Sequence, residues 1–303
     1  MNYFLQKLTK IRFIIFLDQL LFRIKDDEVF ATGTQLTFFL ILSIFPFIIM
    51  LLNIVSYTPF IKQSILYDII FYLPLETQKL FHGFVKEIAV SSSQELLSIA
   101  AVLGIWSASS GMKAVIKAIN KAYNSGENRS YLKLRLMSIV FTIALLLLIV
   151  LVFMTLIFGE VLANKLFTFL GLSFFFKTLW SYMRIVIPLC YMIFIFALLY
   201  KYSPCRNKLH KIEFTSTLPG AIFATLGWML TSVFFSYYVN NFGRFAITYG
   251  SLVGVILLFI WLYISSIIIV LGGEINATLD FFKTYGYKLH IDKSLLVGII
   301  HKF

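Results

Sequence analysis

Apolar and polar positions follow one another in long blocks along this chain, and the clearest block lies near its end. Between Arg244 and Glu274, 29 consecutive residues carry no formal charge, and most are Leu, Ile, Val, Phe, Trp or Tyr. At about 1.5 Å per helical residue such a run reaches about 44 Å, more than the roughly 30 Å hydrocarbon core of a bilayer. Weaker blocks of the same kind place spans at about 35–55, 96–112, 136–159, 179–200, 218–238 and 251–272. The pattern therefore predicts an all-α polytopic membrane bundle of six transmembrane helices. It forms a single membrane domain over residues 1–303 with interfacial amphipathic helices beside it.

The blocks differ in internal pattern, and the differences assign them places. Residues 4–24 mix Lys7, Lys10, Arg12, Asp18 and Arg23 with leucines and isoleucines, which predicts an interfacial helix with its basic side toward lipid headgroups. Pro46 predicts a kink in the first span. Ala100, Gly104, Ala108 and Gly111 form a small-residue seam in the second span, and Gly220, Ala224 and Gly227 form another in the fifth. Such seams let helix backbones approach closely, so these two helices are expected inside the bundle. The third span is plain and leucine-rich, and is expected at the periphery. The fifth is expected to start at Ser216–Pro219, with the hydroxyl as cap and the proline in the first turn. Beyond the second span the helical pattern continues. Met112, Ile116, Ile119 and Tyr123 make one stripe, and Lys113, Lys117 and Lys121 another.

Composition turns this pattern into a class. Hydrophobic residues make up 60% of the chain and charged residues 13%, about half the charged share of ordinary soluble domains. The net charge of +12 is spread over every loop instead of forming one basic patch. Anionic lipid is therefore the expected partner, and nucleic acid is not. Counting Lys and Arg by loop places 19 of the 26 on one side if both termini share it. The positive-inside rule then predicts that both termini are cytoplasmic.

Candidate chemistry is sparse. His82, His210, His290 and His301 stand singly, and Cys190 and Cys205 have no metal-ligand spacing. Neither a metal nor another cofactor is expected, and no hydrolytic motif is present, so the expectation is a protein that is not an enzyme. Asp27, in the acidic run Asp26–Glu28, is read first as a helix-start residue favoured by the helix dipole. Lys113, Lys117, Asn120, Arg244, Tyr249 and Glu274 are candidate pathway or lipid contacts. For Glu274 the ordinary role is pairing or closing a helix, and proton coupling is the sharper alternative. Arg184, near one end of the fourth span, is expected to snorkel to water.

Four stretches together resemble a known family. They are Asp27 with Ala31; Ser43–Pro46; WSASSGMKAVIKAINKAY from Trp106 to Tyr123; and ITYGSLVGVILLFIWLYISSIIIVLGGEINA from Ile247 to Ala277. They resemble the YihY/BrkB family of bacterial inner-membrane proteins, once labelled ribonuclease BN. The resemblance implies a six-helix protein of the bacterial cytoplasmic membrane and no settled activity. The expected function is a transporter or flippase for an anionic lipid or small anionic solute. A non-transporting envelope scaffold or assembly factor is the alternative, a ribonuclease comes last, and a homo-oligomer is compatible with all three.

Overall fold

A computed structural model describes residues 12–42, 94–153, 174–205, 212–242 and 252–286. All regular structure in them is helical: α1 Arg12–Asp26, α2 Val29–Leu42, α3 Gln94–Ala122, α4 Tyr131–Phe153, α5 Phe174–Tyr202, α6 Phe214–Phe242 and α7 Val253–Tyr285. Four of these, α4 to α7, are long and apolar enough to cross a membrane. They correspond to the third to sixth expected spans. The first span is described only as far as Leu42, so Ser43, Pro46 and the rest of it lie outside the described residues, as do Arg244, Tyr249 and both chain ends.

Helix α7 is the hub, packing on α6, α1 and α3, while α5 lies between α6 and α4. The bundle is apolar on both sides, as a bilayer requires. Inside, Leu36, Ile116, Ile119, Phe196, Leu199, Tyr200 and Ala224 form one core. Outside, Leu132, Leu136, Val140, Ile143 and Leu147 of α4 form an exposed stripe at helical spacing, and Leu230, Val233, Phe234 and Tyr237 of α6 form another. The stripe on α4 agrees with the peripheral place read from its sequence. Five hydroxyls within the bundle are satisfied on their own helices: Thr37, Ser138, Thr142, Ser266 and Thr278 each donate to the carbonyl four residues earlier.

The stripe at the end of α3 falls as its spacing demands. Met112, Ile116, Ile119 and Tyr123 are buried, and Lys117 and Lys121 are exposed. Gly111, the last residue of the second span's seam, receives α2. A methyl on Gly111 would sit 3.3 Å from Phe39 Cβ, so the glycine sets how closely the two helices pack.

Three expectations change. Helix α1 is turned the other way from a headgroup-facing helix: Asp18, Gln19 and Arg23 are buried against the protein, while Phe13, Leu17 and Leu21 are exposed. Ile15 is buried beside these three polar residues, while Arg12, Lys25 and Asp26 are exposed with the apolar ones. Helix α6 begins at Phe214, so Pro219 lies inside the helix and not in its first turn. Helix α7 continues well past residue 272 to Tyr285. Glu274 therefore does not close a helix.

Candidate site at the meeting of α1, α3 and α7

The Gly-Gly-Glu-Ile-Asn run of α7 works on two faces. Successive helical residues are about 100° apart, so Gly272 and Asn276 share one face and Glu274 points to the other. On the first face α7 touches α6 backbone to backbone. A methyl on Gly220 would collide with the Gly272 carbonyl and with Asn276, and one on Gly272 would lie 2.7 Å from the Gly220 carbonyl. Asn276 then bonds α6 directly: its Nδ2 donates to the Thr217 carbonyl at 2.9 Å, and its Oδ1 accepts from the Gly220 N–H at 2.8 Å. Pro219 lies between those two residues. It lacks an N–H and crowds the preceding turn, which loosens the helix where the carboxamide inserts. The Tyr200 hydroxyl of α5 donates to the Ile269 carbonyl at 2.7 Å and fixes the same stretch of α7 from a third side.

With α7 so held, Glu274 faces α1 and α3 and is completely buried. The opposing carboxyl is Asp27, in the two-residue turn between α1 and α2. Glu28 there takes a left-handed conformation, φ 52°, and Asp27 N–H donates to the Arg23 carbonyl at 2.8 Å. This turn carries Asp27 inward, where its carboxyl and that of Glu274 come within hydrogen-bonding range. Neither Glu274 oxygen finds a hydrogen-bond donor. Burial pushes the Asp27 carboxyl above its ordinary range, against the pull of the nearby Lys121 and Arg23 charges.

The two cations are arranged differently. Lys121 Nζ is 3.9 Å from Asp27 Oδ1 and donates to the Asp26 carbonyl, with half its side chain exposed. Arg23 is buried and donates to the carbonyl of Ala122, the last residue of α3, at 2.6 Å. Its guanidinium lies 5.4 Å from the centre of the Phe281 ring. A cation at a helix C-terminus opposes the negative end of the helix dipole, so Arg23 closes α3 while standing beside the carboxyl pair. The result is a buried group of Arg23, Asp27 and Glu274 where three helices meet, with the half-exposed Lys121 at its edge.

Glu274, an expected pathway contact, and Asp27, read from the sequence as a helix-start residue, come together; Lys113, Lys117 and Asn120 have separate surroundings, and Arg244 and Tyr249 lie outside the described residues. Lys113 sits 4.4 Å over the Tyr131 ring, and Lys117 is exposed. Asn120 is buried and engaged at both ends: its Oδ1 accepts from the Cys205 N–H at 2.6 Å and its Nδ2 donates to Glu127 at 3.3 Å. Glu127 in turn binds Arg129 through both oxygens, which holds its carboxyl below the usual range, and Arg129 donates to the Ser203 carbonyl at 2.8 Å. Asn120 thus ties the α3–α4 loop to the end of α5. The Arg184 side chain lies outside the described positions. Neither Arg23, read in the sequence as part of a basic helix face, nor Asn276 was among the expected site residues. The signal for Arg23 was the four-residue spacing of Gln19, Arg23 and Asp27, one polar face on a segment otherwise rich in apolar residues.

A family model described as Virulence factor BrkB matches residues 20–288. The chain belongs to the BrkB family. Its curated relatives include the ribonuclease-like protein YfkH of Bacillus subtilis, 36% identical over 264 residues that cover 87% of this chain and 94% of that protein. A UPF0761 membrane protein of Alteromonas mediterranea is 27% identical over 272 residues, 85% of each chain. Another, from Tolumonas auensis, is 38% identical over 68 residues, 22% of each chain. No solved structure matches this BrkB-family chain. The family match spans every residue of the candidate site, from Arg23 to Phe281.

Proposed function

We propose that this BrkB-family membrane protein is a transporter or flippase for an anionic lipid or a small anionic solute. It would act in the bacterial cytoplasmic membrane with both termini cytoplasmic. The observation that carries the reading is the buried group of Arg23, Asp27 and Glu274, with Lys121 half-exposed beside it. Charged side chains inside an apolar bundle are costly to keep, and in membrane proteins they mark substrate and ion paths. The half-exposed Lys121 is the cation best placed to meet an anion at the mouth of this group, and anionic lipid is the partner its surroundings suit.

The test is flux in liposomes that contain the purified protein, followed with fluorescent phosphatidylglycerol and with inorganic phosphate. Movement of either probe that falls with Lys121→Ala supports transport. No movement of either, in protein that is folded and correctly inserted, refutes it and leaves the scaffold reading. Native mass spectrometry of gently extracted protein checks the same choice: a stoichiometric ligand favours transport, bulk lipid alone a scaffold.

The name of the Bacillus relative keeps hydrolysis of RNA as a further reading. It is disfavoured by the burial of Glu274, because a carboxylate that activates water for phosphodiester cleavage must reach the phosphate. Cleavage of a transfer-RNA precursor by the purified protein, lost in Asp27→Asn, would reverse this order.

A further inference from the structure

We propose that Asp27 and Glu274 together hold one exchangeable proton, and that this carboxyl pair couples the protein's function to proton movement. The holding of a proton stands on geometry, and its coupling rests on the transport reading above.

Two carboxylates have no hydrogen to place between their oxygens. Brought within hydrogen-bonding range in a buried site, they repel, and both Glu274 oxygens go without a donor. One added proton changes this. It forms an O–H···O⁻ bond, among the strongest hydrogen bonds proteins make, and leaves one negative charge in place of two. Such a pair titrates as a unit.

The groups around the pair do not replace the proton. From α1, Arg23 has its Nη1 on the Ala122 carbonyl and its guanidinium over Phe281. From the end of α1, Asp26 adds a further negative charge beside Asp27. From α3, Lys121 approaches Asp27, at 3.9 Å, and not the Glu274 oxygens. Helix α5 brings Tyr200, whose hydroxyl donates to the Ile269 carbonyl, and α6 brings Thr217 and Gly220, which face Asn276. A metal cation is a poorer occupant than a proton, because it needs several oxygen ligands and would sit beside two cationic side chains.

Proton occupancy sets the charge of the group. With both acids ionised, they offset Arg23 and Lys121; with the proton bound, the group is one unit more positive. An anion beside Lys121 is therefore bound more tightly in the protonated state, and by linkage its binding favours proton uptake. The only bond made or broken is the carboxyl O–H, with water supplying and receiving the proton.

The experiment is infrared difference spectroscopy of the full chain in lipid nanodiscs, titrated in H2O and in D2O. The expected result is a carboxylic-acid carbonyl band that shifts in D2O, is lost at alkaline pH, is missing in Glu274→Gln and titrates at a different pH in Asp27→Asn. Circular dichroism and size exclusion establish that both variants are folded. Absence of the band in the wild type at every pH, or its persistence unchanged in both folded variants, overturns the proposal. Coupling is read in liposomes as proton uptake accompanying phosphate or phosphatidylglycerol movement, expected to be lost in Glu274→Gln. The band without any flux keeps the proton pair and refutes transport; flux without band or proton uptake keeps transport and refutes the pair.

Discussion

Replacing Gly220 by alanine tests the contact that aims Glu274. The new methyl would meet the Gly272 carbonyl and the Asn276 side chain, neither of which is the free end of a flexible group. The two helices must then separate, at an overpacking cost of about 1–3 kcal/mol. Separation also weakens two buried hydrogen bonds of Asn276, at 2.8 and 2.9 Å, each contributing about 0.5–1.5 kcal/mol. Alanine gains up to about 1 kcal/mol over glycine in a helix. The balance is a net loss of roughly 3 kcal/mol, enough to lower the melting temperature of detergent-purified protein by several degrees. Gly227 supplies the control on the same helix. Its methyl would lie 3.2 Å from the Ile268 Cγ2 branch, a tight contact with one side chain that a shift of that side chain relieves and not a collision with backbone, so Gly227→Ala is expected to melt close to wild type and clearly above Gly220→Ala. The assay is loss of the monodisperse size-exclusion peak after heating. Equal melting of Gly220→Ala and Gly227→Ala would refute the backbone contact between α6 and α7, and with it the account of how Glu274 is held.

Asp27→Asn should raise the melting temperature at neutral pH. Burial lifts the folded-state value of Asp27 above its ordinary 3.8, so stability falls as pH rises from 3.8 through the folded value. The gain should vanish below that window in a melting series, and a gain that instead grew on acidification would contradict the sign. Glu127 behaves oppositely: its folded value is lowered below 4.5 by Arg129, so its contribution is full above 4.5 and lost as pH falls through the folded value. Glu127→Gln should accordingly melt below wild type at neutral pH and converge with it in acid. Arg135→Ala removes a guanidinium 3.7 Å over the Trp106 ring, together with its bonds to the Trp106 carbonyl and Ser110 at 2.8 and 3.0 Å. A loss of about 2–4 kcal/mol is expected from these combined contacts, and Arg135→Lys, without the planar fork, should recover only part of it in the same melting assay.

Much of the architecture is written in local pattern. A long uncharged apolar run in a bilayer has to be helical, because only a helix satisfies its own backbone there. The part of α7 up to residue 272 could therefore be assigned without knowledge of its neighbours, whereas its continuation to Tyr285, past Glu274, could not. The stripe Met112, Ile116, Ile119 and Tyr123 likewise names its own buried face by spacing alone. The glycine seam of α6 announced a close approach, although not that Gly272 would be the surface it meets.

The site was legible only in pieces. Glu274 and Asp27 each stood out as acids beside apolar runs, but 247 positions separate them along the chain. Helical periodicity says which way a side chain points from its own axis, not which helix it meets. Hence α1 read as a headgroup-facing helix, whereas its buried Arg23 and Asp18 require the polar face to turn inward. Asn120 looked like a pathway residue because its partners, Cys205 and Glu127, lie across a loop or in a distant part of the chain. From the sequence alone came membrane residence, helical class and the small-residue contacts, since each follows from interactions within one segment. The pairing of Asp27 with Glu274, the place of Arg23 beside them and the hold of Asn276 on α6 were decided by the crossing of α7 with α1, α3 and α6, because charges interact through space and not along the chain.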